Sequence, residues 1–164
     1  MLDLWLNDHR IGLISEKTVG EINSSSLSTL FSRTPQGVVF TPQSNFNEGL
    51  ALAANVFHQA GFFFQWRKEL LDVRDPDTGD VLAQAERGLV RYLGMATRCI
   101  YAVGMTEDGR IFMSQRSFSK QVDPGLWDAL AAGLIAAGEA PHESLAREIA
   151  EEAGLKPGDY SLED

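Results

Sequence analysis

The segment "GLIAAGEAPHESLAREIAEEAGL", residues 133–155, decides the fold of the second part of this chain. It contains five glutamates and one arginine. Pro141 stands where a helix can begin, because a proline at the first helical position removes no hydrogen bond. Gly154 stands where a helix can close in the left-handed conformation. The segment therefore predicts a helix over residues 141–153.

The predicted helix has one apolar side and one acidic flank. At about 100° per residue, a single arc contains the apolar side chains, which are Leu145, Ala146, Ile149 and Ala153. Glu148, Glu151 and Glu152 fall on the adjoining flank. Like charges at this spacing repel one another, and hard divalent cations prefer oxygen ligands. The flank therefore indicates either a cation site or an ordinary solvated acidic surface.

Composition and charge narrow the class of protein. A chain of 164 residues with 44% hydrophobic residues allows one ordinary domain or two small ones. The net charge is −9, and residues 121–164 hold ten acidic and two basic side chains. This acidic segment argues against a nucleic-acid partner, which calls for a basic surface. We find no apolar run long enough to span a bilayer and no secretory signal in "MLDLWLNDHR", and Cys99 is the only cysteine. We therefore expect a cytoplasmic protein without a membrane partner.

The first part of the chain reads as a mixture of hairpins and helices. "LDLWL" and "RIGLI" predict a hairpin, and residues 44–60 predict a helix that ends at Gly61. "FFFQWRKELLDV" and "GDVLAQ" predict a second hairpin around "RDPDTG". "AERGLVRYLG" predicts a short helix that ends at Gly94. The serine-rich stretch "INSSSLSTLFSRTPQG" predicts no particular element.

The pattern changes between residues 86 and 98. From Cys99 onward, "CIYAVG" and "RIFMSQR" predict a hairpin around "TEDG", and "LWDALAAGLIA" predicts a strand that leads into a loop. We therefore predict an α+β domain over residues 1–90 and a second domain over residues 95–164.

The spacing in residues 133–155 resembles the signature of the Nudix hydrolases. The signature is G-x5-E-x7-R-E-U-x-E-E-x-G-U, with U aliphatic, and this chain fills it with Gly133, Glu139, Arg147, Glu148, Ile149, Glu151, Glu152, Gly154 and Leu155. We call residues 133–155 the box. The resemblance implies an α/β/α sandwich around a mixed sheet. It also implies hydrolysis of a diphosphate linked to another moiety, usually with Mg²⁺ or Mn²⁺.

The resemblance also assigns roles to the box residues. It implies Glu148, Glu151, Glu152 and the carbonyl of Ala132 as metal ligands, with Glu151 alternatively a base that acts on water. The catalytic residues it implies are Arg147, which orients a box glutamate, together with Glu148 and Glu151. The structural residues it implies are Gly133, Glu139 and Gly154, and Glu139 either stabilises the loop or binds a second ion. We expect His142 to be an exposed histidine at the helix start rather than an acid or a ligand.

A finer resemblance lies upstream of the box. "WRKELLDV", "AERGLVRYLG" and "RIFMSQRSFSKQVDPGLWDALAAGLIAAGE" resemble a Nudix subfamily that has a small N-terminal α+β domain and is related to the Nudix part of thiamine pyrophosphokinase fusion proteins. It implies Arg116 and Lys120 as substrate-binding residues, although each could equally form a salt bridge to the acidic segment. Pro124, Gly125 and Asp128 match the subfamily's "PG-x-x-D", and Tyr101 stands near the place of a histidine common in the first Nudix strand. The implied substrates are small-molecule diphosphates, either nucleoside diphosphate derivatives or thiamine diphosphate-like compounds.

Nudix domains usually continue well beyond the box, whereas here only "KPGDYSLED" follows Leu155. We therefore expect a C-terminally truncated sandwich. Either the chain is a truncated product or a fragment, or another chain, such as a second copy in a homodimer, completes its sheet. A half-built sheet exposes strand edges, so we expect the isolated chain to be poorly stable, dimeric or inactive. The alternative function is a catalytically inactive or fragmentary module that binds diphosphates or regulates another protein.

Overall fold

The computed structural model describes residues 1–63, 65–120 and 123–163, and Phe64, Gln121, Val122 and Asp164 lie outside that description. The chain is mixed α/β, as expected, and divides into two compact units. Unit 1 comprises Met1–Thr97 with Ala136–Gly138, and unit 2 comprises Arg98–Ile135 with Glu139–Asp164.

Unit 1 begins with a four-stranded mixed sheet. Its strands are β1 (Leu2–Leu6), β2 (His9–Ile14), β3 (Phe31–Thr34) and β4 (Gly37–Phe40), in the order β2-β1-β4-β3. β1 and β2 form the predicted hairpin, and Asn7 turns it with a φ of 54°. β4 runs parallel to β1, a long-range pairing that local sequence does not encode.

The serine-rich stretch, residues 22–37, begins with the end of a helix and continues into a 3₁₀ turn and strand β3. Helix α1 (Glu16–Asn23) begins at Ser15, whose hydroxyl accepts from the amide of Thr18. A 3₁₀ turn, Ser28–Leu30, then leads into β3. Serine side chains compete for local backbone groups, which is why this stretch gave no single pattern.

Helix α2 (Phe46–Gln59) confirms the helix expected over residues 44–60. Asn45 caps its start by accepting the amide of Glu48 at 3.0 Å. Leu50 and Phe57 are fully buried on its inner face. The helix thereby covers one side of the core of unit 1.

The second predicted hairpin is confirmed as β5 (Leu70–Arg74) paired with β6 (Val81–Glu86). The prediction of a strand from the start of "FFFQWRKELLDV" is wrong for most of the residues before Leu70, and Phe64 lies outside the described residues. One reason is that the buried carboxylate of Glu86 accepts the amide of Arg67 at 2.8 Å, which engages a backbone group of this segment with a side chain instead of a strand partner. Helix α3 (Arg87–Leu93) follows and ends at Gly94 in the left-handed conformation, as predicted.

Among its described residues, unit 2 contains six short strands in three pairs. They are β7 (Cys99–Ala102), β8 (Gly104–Met105), β9 (Ile111–Phe112), β10 (Ser114–Gln115), β11 (Trp127–Asp128) and β12 (Ala131–Leu134). β8 pairs with β9 around the predicted turn, and β10 pairs with β11. β7 pairs with β12 instead of extending the hairpin, so that part of the hairpin prediction is wrong. As with β1 and β4, the paired strands lie far apart in the sequence, so the local pattern does not indicate their pairing.

The helix of the box is α4 (Pro141–Glu148), followed by one π-helical turn, Ile149–Ala153. The helix predicted over residues 141–153 is therefore confirmed in its bounds, although its last turn is π-helical, which the sequence did not indicate. Ile149 is buried and packs with Ala102 and Ala131, and Leu145 lies against the same cluster. The predicted apolar side thus packs on β7 and β12. None of the helices in the part of the chain that the structure describes is both long and apolar enough to cross a membrane.

Candidate functional site

The peptide groups of Ala132 point away from the neighbouring strand. Ala132 pairs with Tyr101 in the β12–β7 ladder, and Ile135, three residues on, donates its amide to the carbonyl of Arg98 at 3.1 Å. Hydrogen-bonded and non-hydrogen-bonded pairs alternate in an antiparallel ladder, so Ala132–Tyr101 is a non-hydrogen-bonded pair. The amide of Ala132 instead donates to Oε2 of Glu152 at 3.0 Å. The carbonyl of Ala132 therefore lies along the strand edge that Glu152 contacts.

Gly133 makes room for the carboxylate of Glu148. A Cβ atom at position 133 would lie 2.1 Å from both Cδ and Oε1 of Glu148. The side chain of Glu148 is only 12% exposed. Any side chain at position 133 would displace this carboxylate, so Gly133 and Glu148 depend on each other.

Arg147 joins two box glutamates through its guanidinium group. Nε and Nη2 donate to the two carboxylate oxygens of Glu139 at 3.1 and 3.0 Å, which is the bidentate geometry. Nη1 donates to Oε1 of Glu148 at 2.6 Å. The hydrogen bonds to Glu139, and then those to Glu148, raise the pKa of Arg147 above its usual value. Glu139 thus anchors the arginine, and the arginine holds Glu148.

The sequence reasoning missed Ser144. Its side chain is fully buried, and its hydroxyl oxygen accepts from Nη2 of Arg147 at 3.1 Å. The available signal was the spacing, because a residue three positions before Arg147 lies on the same side of a helix. A serine between a charged and an apolar residue could equally be exposed to solvent, so the sequence alone did not reveal this contact.

The structure does not gather the three carboxylates of the predicted flank. Glu148 is held by Arg147, Glu152 is held by the amide of Ala132, and Glu151 is exposed with an oxygen 3.8 Å from Nη1 of Arg147. Within residues 1–63, 65–120 and 123–163, no three His, Cys, Asp or Glu side chains form a group that could hold a metal ion. In a π-turn the hydrogen bonds run from i to i+5, so the i, i+3, i+4 spacing no longer aligns side chains as in an α-helix.

The donor chemistry nevertheless fits a hard divalent cation. Three carboxylates and one backbone carbonyl are the oxygen ligands that Mg²⁺ and Mn²⁺ prefer. Gly133 provides the cradle in which one of these carboxylates already sits. Loading such an ion requires Glu152 to turn from the amide of Ala132, whereas Glu148 can keep Oε1 on Arg147 and offer Oε2 to the ion.

Arg116 lies in a second, smaller cluster between β10 and β11. Its Nη1 donates to Oδ2 of Asp128 at 2.9 Å, and Oδ1 of Asp128 accepts the amide of Ala129 at 2.9 Å. The hydrogen bond from the Ala129 amide, followed by that from Arg116, lowers the pKa of Asp128. The structure thus shows the salt-bridge alternative for Arg116, and substrate binding by this residue stays a prediction.

The other candidate residues are exposed. Lys120 lies in the loop after β10, where its amide donates to the carbonyl of Ser117 at 3.0 Å. His142 is exposed in the first turn of α4, as expected. Tyr101 is 63% exposed, and its interaction with Cys99 raises its pKa. Gly154 closes the π-turn in the left-handed conformation, with a φ of 70°.

Comparison with known proteins identifies the same part of the chain. Residues 95–163 match the model of the NUDIX domain. An uncharacterized Nudix hydrolase of Streptomyces coelicolor is 34% identical over 86 residues, which cover 52% of this chain and 47% of that protein. The uncharacterized Nudix hydrolase YfcD of Escherichia coli K12 is 35% identical over 79 residues, which cover 48% and 44%. A third, from Pseudomonas aeruginosa, is 35% identical over 75 residues, which cover 46% and 44%.

The chain thus spans about half the length of the curated relatives that it matches. The domain match covers β7 to β12, α4 and the π-turn, and it includes every residue of the box. Together with the named relatives, the domain match supports placing residues 95–163 in the Nudix superfamily.

Proposed function

We propose that this protein is a metal-dependent hydrolase that cleaves a diphosphate linkage in a small molecule by attack of water. The observation that carries the proposal is the linked set of box contacts. Gly133 leaves the space that Glu148 fills, and Arg147 grips Glu139 and Glu148 together. These contacts give the signature residues a physical reason for their spacing.

The residues that would hold the cation are Glu148, Glu151, Glu152 and the carbonyl of Ala132. A bound divalent ion offsets charge on the phosphoryl oxygens and lowers the pKa of a coordinated water. Nudix enzymes generally use Mg²⁺ or similar ions. In this chain Arg147 orients Glu148, because Nη1 of its guanidinium donates to Oε1 of the carboxylate.

Glu151 suits the role of base better than its neighbours. Its side chain is 62% exposed, whereas that of Glu148 is 12% exposed. An exposed carboxylate can accept a proton from water and release it to solvent. Arg116 and Lys120 would contact the phosphate of the substrate, in which case Arg116 must exchange Asp128 for the phosphate. Nucleoside diphosphate derivatives and thiamine diphosphate-like compounds are the substrate classes we propose to test first.

The experiment is phosphate or nucleotide release from a panel of these compounds with Mg²⁺ and with Mn²⁺. We expect turnover that falls at least about 100-fold in Glu151→Gln and Glu152→Gln, as for the loss of a catalytic base or an essential ligand. Glu107→Gln is the matched control, because Glu107 is exposed in the turn between β8 and β9, away from the box. Turnover that survives in both box variants would contradict the proposal.

The second candidate function is a diphosphate-binding module without turnover. It is favoured by the carboxylates that do not converge, since Glu148 and Glu152 are engaged with other groups. Saturable binding of a diphosphate by calorimetry, with no turnover in either metal, would support this candidate. A cytoplasmic location and a homodimer belong to the main proposal, and light scattering after gel filtration tests the dimer.

A further inference from the structure

Ser144 is a buried polar side chain at a position where alanine would serve the helix better. It lies within α4 and is fully buried. Serine has a lower helix propensity than alanine, and a buried hydroxyl costs free energy unless it is hydrogen-bonded. Its recorded side-chain partner is Nη2 of Arg147, at 3.1 Å. The hydroxyl therefore stabilises the chain through Arg147 rather than through packing.

The hydrogen bond to Ser144 further restricts the orientation of the Arg147 guanidinium group. The two bonds to Glu139 use the Nε hydrogen and one Nη2 hydrogen. Ser144 accepts the second Nη2 hydrogen, which leaves Nη1 to donate to Glu148. Because its Nε hydrogen and both Nη2 hydrogens are engaged, the planar guanidinium group directs Nη1 in one direction only, toward Oε1 of Glu148.

We propose that Ser144 is a positioning residue, which orients Arg147 and through it the Glu148 carboxylate for binding of the divalent cation. This inference rests on the proposed function. Ser144 does not belong to the box signature, so neither the signature nor its spacing assigns it a role.

The test is a double-mutant cycle read by the affinity of the whole chain for Mn²⁺, measured from the free ion by electron paramagnetic resonance. We expect Ser144→Ala to weaken Mn²⁺ binding about 5- to 10-fold. This is at or below the lower end of the effect on metal affinity of residues that bond directly to metal ligands, because Ser144 contacts Arg147 and not the ligand Glu148. In Arg147→Lys the fork is absent, since lysine cannot bridge three groups. There we expect the same substitution to change the affinity by less than about 2-fold.

Ser144→Cys separates the hydroxyl from the space it fills. Cysteine has nearly the same size but is a weak acceptor, so this variant should lose Mn²⁺ affinity as Ser144→Ala does, without a cavity. Chemical unfolding provides the control for folding. Equal losses of affinity in the wild-type and Arg147→Lys backgrounds would overturn the inference, as would unchanged affinity in Ser144→Ala.

A second readout needs no metal. The Nε–H proton of Arg147 should exchange slowly with solvent in the wild-type protein and faster in Ser144→Ala, measured by NMR. Faster exchange with unchanged Mn²⁺ affinity would show a structural contact only and would overturn the positioning role. If the wild-type chain takes up no Mn²⁺ at millimolar concentration, the proposed function and the role of Ser144 in it both fall, while the exchange rate still reports on the contact.

Discussion

At the scale of single residues, Gly133 leaves no room for added atoms. We expect Gly133→Ala to lower the free energy of unfolding by about 1–3 kcal/mol, the usual cost of overpacking, because the new Cβ displaces the Glu148 carboxylate. Urea denaturation measures the change. Gly20→Ala is the matched control, since a Cβ there meets nothing within 4 Å and alanine favours helix α1 by about 0.5–1 kcal/mol. Equal shifts in the two variants would contradict the crowding at position 133.

Asp128 makes a pH-dependent contribution to stability. Its pKa in the folded chain is depressed, so its stabilising effect is complete above the unfolded value of about 3.9 and is lost as the pH falls through the folded value. We expect Asp128→Asn to be less stable than the wild type at pH 7 and the difference to shrink below about pH 4. Denaturation midpoints of both proteins between pH 7 and 3 provide the measurement. A constant difference across that range would show that ionisation of Asp128 is irrelevant.

At the scale of elements, helix α2 offers a direct test of capping. Asn45 accepts the amide of Glu48, so Asn45→Ala should cost about 1 kcal/mol of stability. Asn55 lies in the same helix, is exposed and donates to the carbonyl of Ala51. Asn55→Ala should be neutral or slightly stabilising, because such local bonds compete with the helix. Urea unfolding of the two variants distinguishes a capping asparagine from one inside the helix. Equal losses of stability would refute the assignment of Asn45 as the cap.

The elements that sequence could predict are those set by local chemistry. The Asn-Asp turn of the first hairpin, the cap of α2 and the left-handed glycine after α3 all act within a few residues. Neither the parallel pairing of β4 with β1 nor the pairing of β7 with β12 could be predicted, because both depend on distant partners. The π-turn was missed because a pattern read at about 100° per residue assumes a regular α-helix.

In the candidate site, the sequence indicated which residues take part better than it indicated how they are arranged. The resemblance of the box implied that Arg147 orients a box glutamate. It gave no sign that Glu139 binds the arginine through both oxygens or that Ser144 completes the set. The contact with Glu139 depends on the loop before α4, whose path no helical period describes.

At the scale of the whole molecule, exposed apolar side chains are distributed unevenly. Of the sixteen large hydrophobic residues that are exposed in the part of the chain that the structure describes, ten belong to unit 2, including Val103, Ile111, Met113 and Trp127. Exposed apolar surface in this amount favours association. We expect the 18.0 kDa chain to elute above monomer mass at micromolar concentration, measured by light scattering after gel filtration.

A matched pair of variants locates the surface responsible. Val103→Thr with Ile111→Thr should shift the population toward monomer, because both side chains are more than half exposed in unit 2. Leu52→Gln with Val81→Thr makes a similar change in unit 1 and should have little effect. A wild-type chain that is monomeric at all concentrations would refute the prediction, and equal effects of the two pairs would refute its assignment to unit 2.

The close fit of residues 133 and 148 has a consequence for how this protein can change. A substitution that adds a methyl group at 133 requires a shorter acid at 148, so the two positions cannot change independently. Gly133→Ala combined with Glu148→Asp should fold better than Gly133→Ala by itself, since aspartate withdraws its carboxylate from the filled space. Random libraries that vary one of these sites while fixing the other would lose most of their functional members.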